Sequence, residues 1–329
     1  MTTMSLRAHE VHLKIVDDAM FKQYQPMLAT LIDKPFDDPE WVFETKWDGF
    51  RMIAEIKNGN VSLYSRNGKT VSDRYRPVAK ALEKVGHNAV LDGELVALDS
   101  HGVSRFQLLQ NALRTKVSLR YYLFDILFLD GKDVRDLPLI ERKEHLEKII
   151  PEDRLLAYSE HRWEYGPKYF KEAQKKKEEG IMAKRAETRY FSGKRTREWL
   201  KIKTGYEQEV VIVGFTEPRR SRKYFGSLVL AVREGKQWRY VGHVGTGFDA
   251  QALREIYEKL APLKTDKKTF DTKVAFEATT TWVKPKLVGE VKFTEWTSGG
   301  EMRHPAFLGL REDKKPEEVI MEKGLPYAR

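Results

Sequence analysis

Near Tyr206 the chain changes texture. Beyond that point EVVIVGFTEP, FGSLVLAVRE, QWRYVGHVGTGF and TTTWVKPKLVGEVKFTEW form a run of short strands, with one helical pattern over residues 249–260 among them. About five strands and one helix fit a small closed barrel such as an OB-fold. Before that point, WVFETKW, FRMIAEIKNG, NVSLYSR, AVLDGELVAL and RYYLFDILFLDG are short and rich in β-branched and aromatic residues. Helical patterns over 75–85, 106–113, 139–150 and 163–179 lie between them without a regular βαβ alternation. Asn58-Gly59 and Asn67-Gly68 read as turns, and Asp130-Gly131 ends a strand. The expected class is α+β: a domain of mixed or antiparallel sheets over residues 25–205, then an all-β barrel over 206–329. A short helical arm covers 1–24, and the boundary falls near 203–207.

At 329 residues the chain has room for two domains with real cores. No apolar run approaches the ~18 residues of a membrane span, and the first residues lack the apolar stretch of a secretory signal. The expected location is the cytoplasm, with nucleoid association. There are no cysteines, which excludes disulfides, thiol nucleophiles, zinc fingers and iron–sulfur clusters but leaves oxygen-ligated Mg²⁺ or Mn²⁺ open. The net charge is +10 and favours a polyanionic partner, nucleic acid first. Residues 206–329 carry 22 Lys and Arg against 18 Asp and Glu, and the preceding residues 37 against 31. Both halves are therefore basic, and the charge is not one detachable tail.

Several short constellations carry chemistry. Glu44-Thr45-Lys46-Trp47-Asp48-Gly49-Phe50-Arg51 sets a lysine among charges at a strand end. An amine attacks only when neutral, so a nucleophilic Lys46 needs cations, metal or desolvation nearby; otherwise it is a surface lysine before a turn. Ser65-Arg66-Asn67-Gly68, Asp92-Gly93-Glu94 and Phe124-Asp125 follow. The Asp-Gly-Glu could hold a ribose or a metal at a strand end, or be only a turn, which is the favoured reading of it alone. Phe124 reads by composition as core. Glu179-Gly180-Ile181-Met182-Ala183-Lys184 closes a basic helix, and Trp199-Leu200-Lys201-Ile202-Lys203 puts two lysines on one strand face. Two adjacent amines suit a phosphate between them, or are solvated surface groups. The glycines of 242–247 lie between β patterns and read as barrel geometry rather than a dinucleotide loop.

The order Lys-x-Asp-Gly-x-Arg, Ser-Arg-Asn-Gly, Asp-Gly-Glu, Phe-Asp, Glu-Gly-Ile-Met-Ala-Lys and Trp-x-Lys-x-Lys resembles that of the covalent nucleotidyltransferases. The chain is similar to ATP-dependent DNA ligases from about Gln25 to Lys315. Trp282-Val283-Lys284-Pro285, Val291–Thr297 and Arg303–Lys314 resemble the ligase module of the bacterial end-joining ligases. The resemblance implies a nucleotidyltransferase (adenylation) domain followed by an OB-fold. It implies that Lys46 takes AMP from ATP, that Glu44 lies near adenine, and that Arg51 and Arg66 hold sugar and phosphate. Glu94 would bind the ribose or assist the metal. Phe124 would stack on adenine beside an apolar wall at Met182. Glu179 would ligate Mg²⁺ (or Mn²⁺), and Lys201 and Lys203 would contact the α-phosphate. Arg311, Asp313 and Lys314 would close over ATP by a hinge near 203–207. The partner would be nicked duplex DNA, held in part by the basic loop of Arg219, Arg220, Arg222 and Lys223. A Ku-like end-joining partner follows by analogy, and a monomer is expected.

Zero cysteines argue against the NAD-dependent ligases, which carry a four-cysteine zinc module. With so short a stretch before the match, the helical DNA-binding domain of larger ATP-dependent ligases is not expected in this sequence, nor are polymerase or phosphoesterase modules, so a stand-alone ligase or an excised module is expected. A GTP-dependent capping guanylyltransferase shares the lysine chemistry, but Glu44 and the 311–314 ending argue against it. An RNA ligase usually lacks a matching OB ending. A non-catalytic OB-fold nucleic-acid binder would leave the ordered motifs unexplained.

Overall fold

Two sheets carry the first of two compact units, which ends at Ile202; the second runs from Lys203 to Gly324. The structure is a computed structural model that describes residues 23–110, 112, 117–219 and 222–322. The expected N-terminal arm lies almost wholly outside the described residues.

The first sheet has the order β1 (Leu28–Leu31), β11 (Arg195–Lys203), β10 (Gly180–Arg185), β2 (Trp41–Thr45), β9 (His161–Trp163). β2 is antiparallel to both β10 and β9, and β1 is parallel to β11. The second sheet is β4 (Asn60–Ser65), β3 (Phe50–Lys57), β5 (Ala89–Leu98), β6 (Ser118–Leu129), β7 (Lys132–Asp133), antiparallel along that path, with β8 (Leu156–Tyr158) parallel to β6. Asn58-Gly59 (φ 51° and 78°) and Asp130-Gly131 (φ 43° and 88°) turn β3 into β4 and β6 into β7. Both central residues are left-handed, which matches the twist of a two-residue hairpin.

The second sheet is buried on both faces. Met52, Ala54, Leu91, Leu123 and Ile126 pack with Val78, Ala81 and Leu82 of α1 (Arg76–Leu82), Leu109 of α2 (Phe106–Gln110) and Leu146 of α3 (Leu139–Ile149). On the other face Ile53, Val90, Phe124 and Leu127 join Met27, Tyr190 and Trp199. A strand covered on both sides gains from apolar residues at every position, so β5 is apolar on both sides of its central Asp92-Gly93-Glu94. The first sheet is backed by α4 (Gly166–Lys176), whose Ala173 packs with Trp41, Phe43, Ile181 and Leu200.

Two sequence expectations change here. The helix anticipated over 163–179 covers only Gly166–Lys176, and Trp163 belongs to β9. Left-handed residues bound it, Tyr165 (φ 54°) before and Lys177 (φ 58°) after. Asp92-Gly93-Glu94 is neither a turn nor a strand end; it lies in the middle of β5. A Cβ on Gly93 would lie 2.6 Å from the Tyr122 carbonyl oxygen and 2.7 Å from the Tyr121 ring. Gly93→Ala is therefore expected to cost about 1–3 kcal/mol, read as a lower denaturation midpoint at unchanged slope.

In the second unit, five antiparallel strands take the order β14 (Gln237–Val244), β13 (Leu228–Glu234), β12 (Tyr206–Thr216), β15 (Thr280–Phe293), β18 (Ala306–Leu310). A parallel bridge between Thr246 and Ala306 links the two ends of that order into a barrel of the OB type. β16 (Glu295–Trp296) and β17 (Met302–Arg303) make a small hairpin beside it. Its helix, α5 (Ala250–Leu260), is capped by Asp249, whose Oδ1 accepts from the Ala252 N–H at 2.7 Å. Ile256 and Leu260 enter a core with Val211, Leu228, Leu230, Val241, Val288 and Phe307. The 242–247 segment leads from β14 into α5. Gly247 (φ 90°) is required there because any Cβ would collide with the Phe307 backbone. β14 and β15, on either side of α5, are not neighbours, so no βαβ unit forms.

Candidate active site

Lys46 immediately follows β2, and its N–H donates to the Gly180 carbonyl at 3.0 Å, one step beyond the β2–β10 ladder. That pairing brings the start of β10 to the lysine, and the Lys46 Nζ donates to the Glu179 carboxylate. Glu44 lies opposite Met182 of β10 and opposite His161 of β9. Directly opposed residues share a face, and alternation adds Lys46 and Lys184 to it. Glu44, Lys46, Met182 and Lys184 thus stand on one side of the first sheet, with Glu179 beside Lys46.

The second sheet contributes the facing side. Arg51 of β3 lies opposite Glu94 of β5, and Glu94 opposite Tyr122 of β6. Arg66 follows β4, and its N–H donates to the Arg51 carbonyl at 3.1 Å. The Arg51 guanidinium grips the buried Asp92 carboxylate at 2.6 and 2.7 Å, and the Tyr190 hydroxyl donates to the same carboxylate at 2.5 Å. Arg51 is therefore built into the wall. Phe124 is 6% exposed, with the Arg51 guanidinium 4.5 Å and the Lys184 amine 4.3 Å from its ring centre. Trp47 and the half-buried Tyr122 are stacked at 3.5 Å and 9°, and the Trp47 Nε1–H donates to Ser159 Oγ at 3.0 Å.

Glu44 is the electrostatic centre of this region. Its Oε1 is 2.8 Å from the Lys143 Nζ, and its Oε2 is 2.9 Å from the Lys184 Nζ. All three side chains are buried. Burial alone would raise the Glu44 carboxyl; the two ammonium groups outweigh it and hold the pKa below the usual carboxylate range. Burial pushes Lys184 down to about 8, against the pull of Glu44. Burial and both lysines lower the His161 pKa, against the pull of Glu44. Lys143 escaped the sequence reading because ERKEH resembles a solvated face. One signal was present: Leu139, Arg142, Lys143 and Leu146 occupy the i, i+3, i+4 and i+7 stripe of α3, and a buried stripe holding two cations implies partners for both. Arg142 finds its partner in the buried Asp125, at 2.7 and 2.9 Å.

The remaining nominated residues lie on β11 and in the second unit. Lys201 is half-buried on β11, and its carbonyl accepts from the Ile32 N–H. Lys203 begins the second unit and donates to the Glu207 carbonyl at 3.1 Å and to Glu322 at 3.2 Å. In that unit Arg311 is bidentate to Asp313 at 2.9 and 2.8 Å and bonds Glu290 at 2.7 Å, while Lys314 pairs with Glu209 at 2.5 Å. Burial works against the Glu209 charge, but Lys314 and Arg311 hold its pKa far below the ordinary range. Arg219 is exposed, with its guanidinium 4.4 Å from the Phe276 ring centre, and Lys223 is exposed. Arg222 turns inward and donates to the Gly245 carbonyl at 2.7 Å. Arg220 lies outside the described residues.

No cluster of three or more His, Cys, Asp or Glu side chains set to hold a metal occurs among the described residues. Glu179 and Glu94 offer hard carboxylate oxygens in small number. Carboxylate oxygen is the donor type Mg²⁺ takes, so either residue fits such an ion. No helix among the described residues is long and apolar enough to cross a membrane.

The two units together define the fold of an ATP-dependent ligase. Residues 26–203 match the family model of the ATP dependent DNA ligase domain, and residues 221–314 that of the ATP dependent DNA ligase C terminal region. The chain belongs to the ATP-dependent DNA ligase family. Within it, the chain is similar to the multifunctional non-homologous end joining protein LigD of Mycolicibacterium smegmatis, 37% identical over 318 residues, covering 94% of this chain and 41% of that protein. LigD of Mycobacterium tuberculosis is 38% identical over 322 residues, covering 92% and 40%. The DNA ligase of Thermococcus onnurineus is 32% identical over 307 residues, covering 85% and 53%. The chain thus spans about 40% of the length of these LigD relatives. A solved structure of mycobacterial DNA ligase D complexed with ATP and MES superposes with a TM-score of 0.70 at 36% identity, covering 92% of this chain and 99% of that one.

Proposed function

We propose that this chain seals 5′-phosphate/3′-hydroxyl nicks in duplex DNA through a covalent Lys46–AMP intermediate. The observation that carries the reading is Lys46 held against Glu179, on the sheet face that also bears Glu44 and Met182. Deprotonated Lys46 Nζ attacks the α-phosphorus of ATP; the bond to the β-phosphate oxygen breaks and pyrophosphate leaves. A 5′-phosphate oxygen of DNA then takes the AMP and Lys46 is released as the amine. Finally the 3′-hydroxyl attacks the 5′-phosphorus, loses its proton, and AMP departs. Positioning and charge neutralisation do most of the work in such transfers. Mg²⁺ or Mn²⁺, when bound, neutralises charge on the triphosphate oxygens, and Glu179 and Glu94 would hold it.

Glu44 meets the adenine edge, with Met182 an apolar wall and Phe124 the stacking aromatic. Glu94 and Arg66 face the sugar and phosphate, and Arg51 acts from its pair with Asp92. Lys201 and Lys203 contact the α-phosphate. Arg311, Asp313 and Lys314 close over ATP, with the Arg311 and Lys314 cations exchanging the carboxylates of Glu290 and Glu209 for phosphate oxygens. Arg219, Arg220, Arg222 and Lys223 contact the DNA backbone. The domains divide at 25–205 and 206–329, after an arm over 1–24. The LigD relatives are named for end joining; we extend that role to this chain, acting as a monomer in the cytoplasm at the nucleoid, with a Ku-like protein as partner.

The test is the intact mass after incubation with ATP, GTP or NAD and Mg²⁺, followed by sealing of nicked DNA and nicked RNA duplexes. A gain of one AMP, ~329 Da, with ATP alone, reversed by pyrophosphate, is expected, as is sealing of DNA. A gain only with GTP, or sealing only of RNA, would overturn the assignment.

A further inference from the structure

We propose that Lys143, on α3 and outside every ligase motif, is a specificity residue that acts through Glu44, setting it to read the 6-amino group of the nucleotide base. The inference rests on the proposed placement of the base at Glu44.

The two cations on Glu44 differ in their surroundings. Lys184 comes from β10, its amine 4.3 Å from the Phe124 ring centre and 4.4 Å from that of Trp199. Lys143 comes from the other element: its amine donates to the Ser159 carbonyl at 3.0 Å and lies 4.6 Å from the Tyr158 ring centre. Lys143 thus ties Glu44 to the 158–159 segment. Ser159 completes the tie, since its hydroxyl donates to Glu44 Oε2 at 3.3 Å. Lys143 is 0% exposed and Glu44 1%, so solvent screens their pairing little. A carboxylate accepts a hydrogen bond from a 6-amino group and repels a 6-oxo group only while it is ionised and fixed in place. With Lys143 absent, one lysine alone would balance Glu44, and the proton between them could be shared. A protonated Glu44 would donate to a 6-oxo group and accept it.

The test compares ATP with ITP, its 6-oxo analogue, in formation of the lysyl-nucleotide adduct by the full chain. Lys143→Met is expected to lower the ATP/ITP ratio of kcat/KM about tenfold or more, chiefly through KM for ATP. Lys143→Gln keeps a donor for the Ser159 carbonyl without the charge, and should lower the ratio likewise should the methionine variant fail to fold. Lys143→Arg should retain the ratio. Glu44→Gln should lower it as far, and the Lys143→Met/Glu44→Gln pair no further. A folded Lys143 variant that loses both activities in parallel, with the ratio intact, overturns the proposal. A Glu44→Gln variant with an unchanged ratio, in an enzyme that still forms the adduct, overturns the base-reading role of Glu44 instead.

Discussion

Lys46→Ala should abolish formation of the lysyl-AMP adduct, a loss of about 10⁴-fold or more, since no other amine replaces a covalent nucleophile. Lys46→Arg should fail equally. A guanidinium keeps the positive charge beside Glu179 but does not deprotonate, so the pair separates loss of charge from loss of the nucleophile. Nicks supplied already adenylylated at the 5′ end should still be sealed by Lys46→Ala, because the last displacement does not use the amine. Intact mass and single-turnover sealing read the two steps separately. An AMP adduct on Lys46→Ala would place the nucleophile elsewhere. The side chain of Lys46 is 17% exposed, and its melting temperature should move little.

Arg142→Met should produce the largest loss of stability. The guanidinium of Arg142 makes two bonds to Asp125 and two more, to the Leu137 carbonyl at 2.5 Å and the Thr188 carbonyl at 2.9 Å. Both charged groups are fully buried. Removing one partner leaves an uncompensated buried charge, which costs about 3–5 kcal/mol. In a unit of this size that is a fall in Tm of roughly 6–20 °C. Arg142→Met/Asp125→Leu, which removes both charges, should recover much of the loss, because a buried pair is often no better than apolar residues of the same volume. Differential scanning calorimetry of the parent and the two variants checks both statements. A single variant that melts with the parent would show that water reaches Asp125. The same arginine holds α3 against β6, so its loss should also disturb Lys143, one residue on.

The fold was legible where local rules decide it. Asn58-Gly59 and Asp130-Gly131 turn strands because left-handed residues are cheapest there, and the 249–260 helix begins after the Asp249 cap that its sequence displays. The Trp163 boundary was not legible. His161–Trp163 forms a strand because β2 offers a free edge beside Glu44, which a helical pattern in the local sequence cannot reveal. Asp92-Gly93-Glu94 looked like a turn by composition. It sits mid-strand because Arg51 and Tyr190 satisfy the buried Asp92, and because Gly93 lets the Tyr121 ring pass over the strand. Lys46, Glu44, Glu179 and Met182 were nominated together by motif order and meet on one sheet. Phe124, nominated as the stacking ring, lies 6% exposed between two cations.

What the chain's residues determined unaided was local and chemical: two textures meeting near Tyr206, the turns, the absence of thiol chemistry, and a lysine with carboxylates in the order of a nucleotidyltransferase. Those depend on residue type and on spacing along one strand or helix. Only the tertiary structure decided which charges are partners. Arg51 reaches Asp92 because the β3–β5 register sets it opposite Glu94, with Asp92 two residues along on the same face, and Lys143 reaches Glu44 because α3 packs with one stripe inward. A buried charge takes whichever opposite charge the packing delivers across tens or hundreds of residues, since leaving it alone costs more than any local preference supplies.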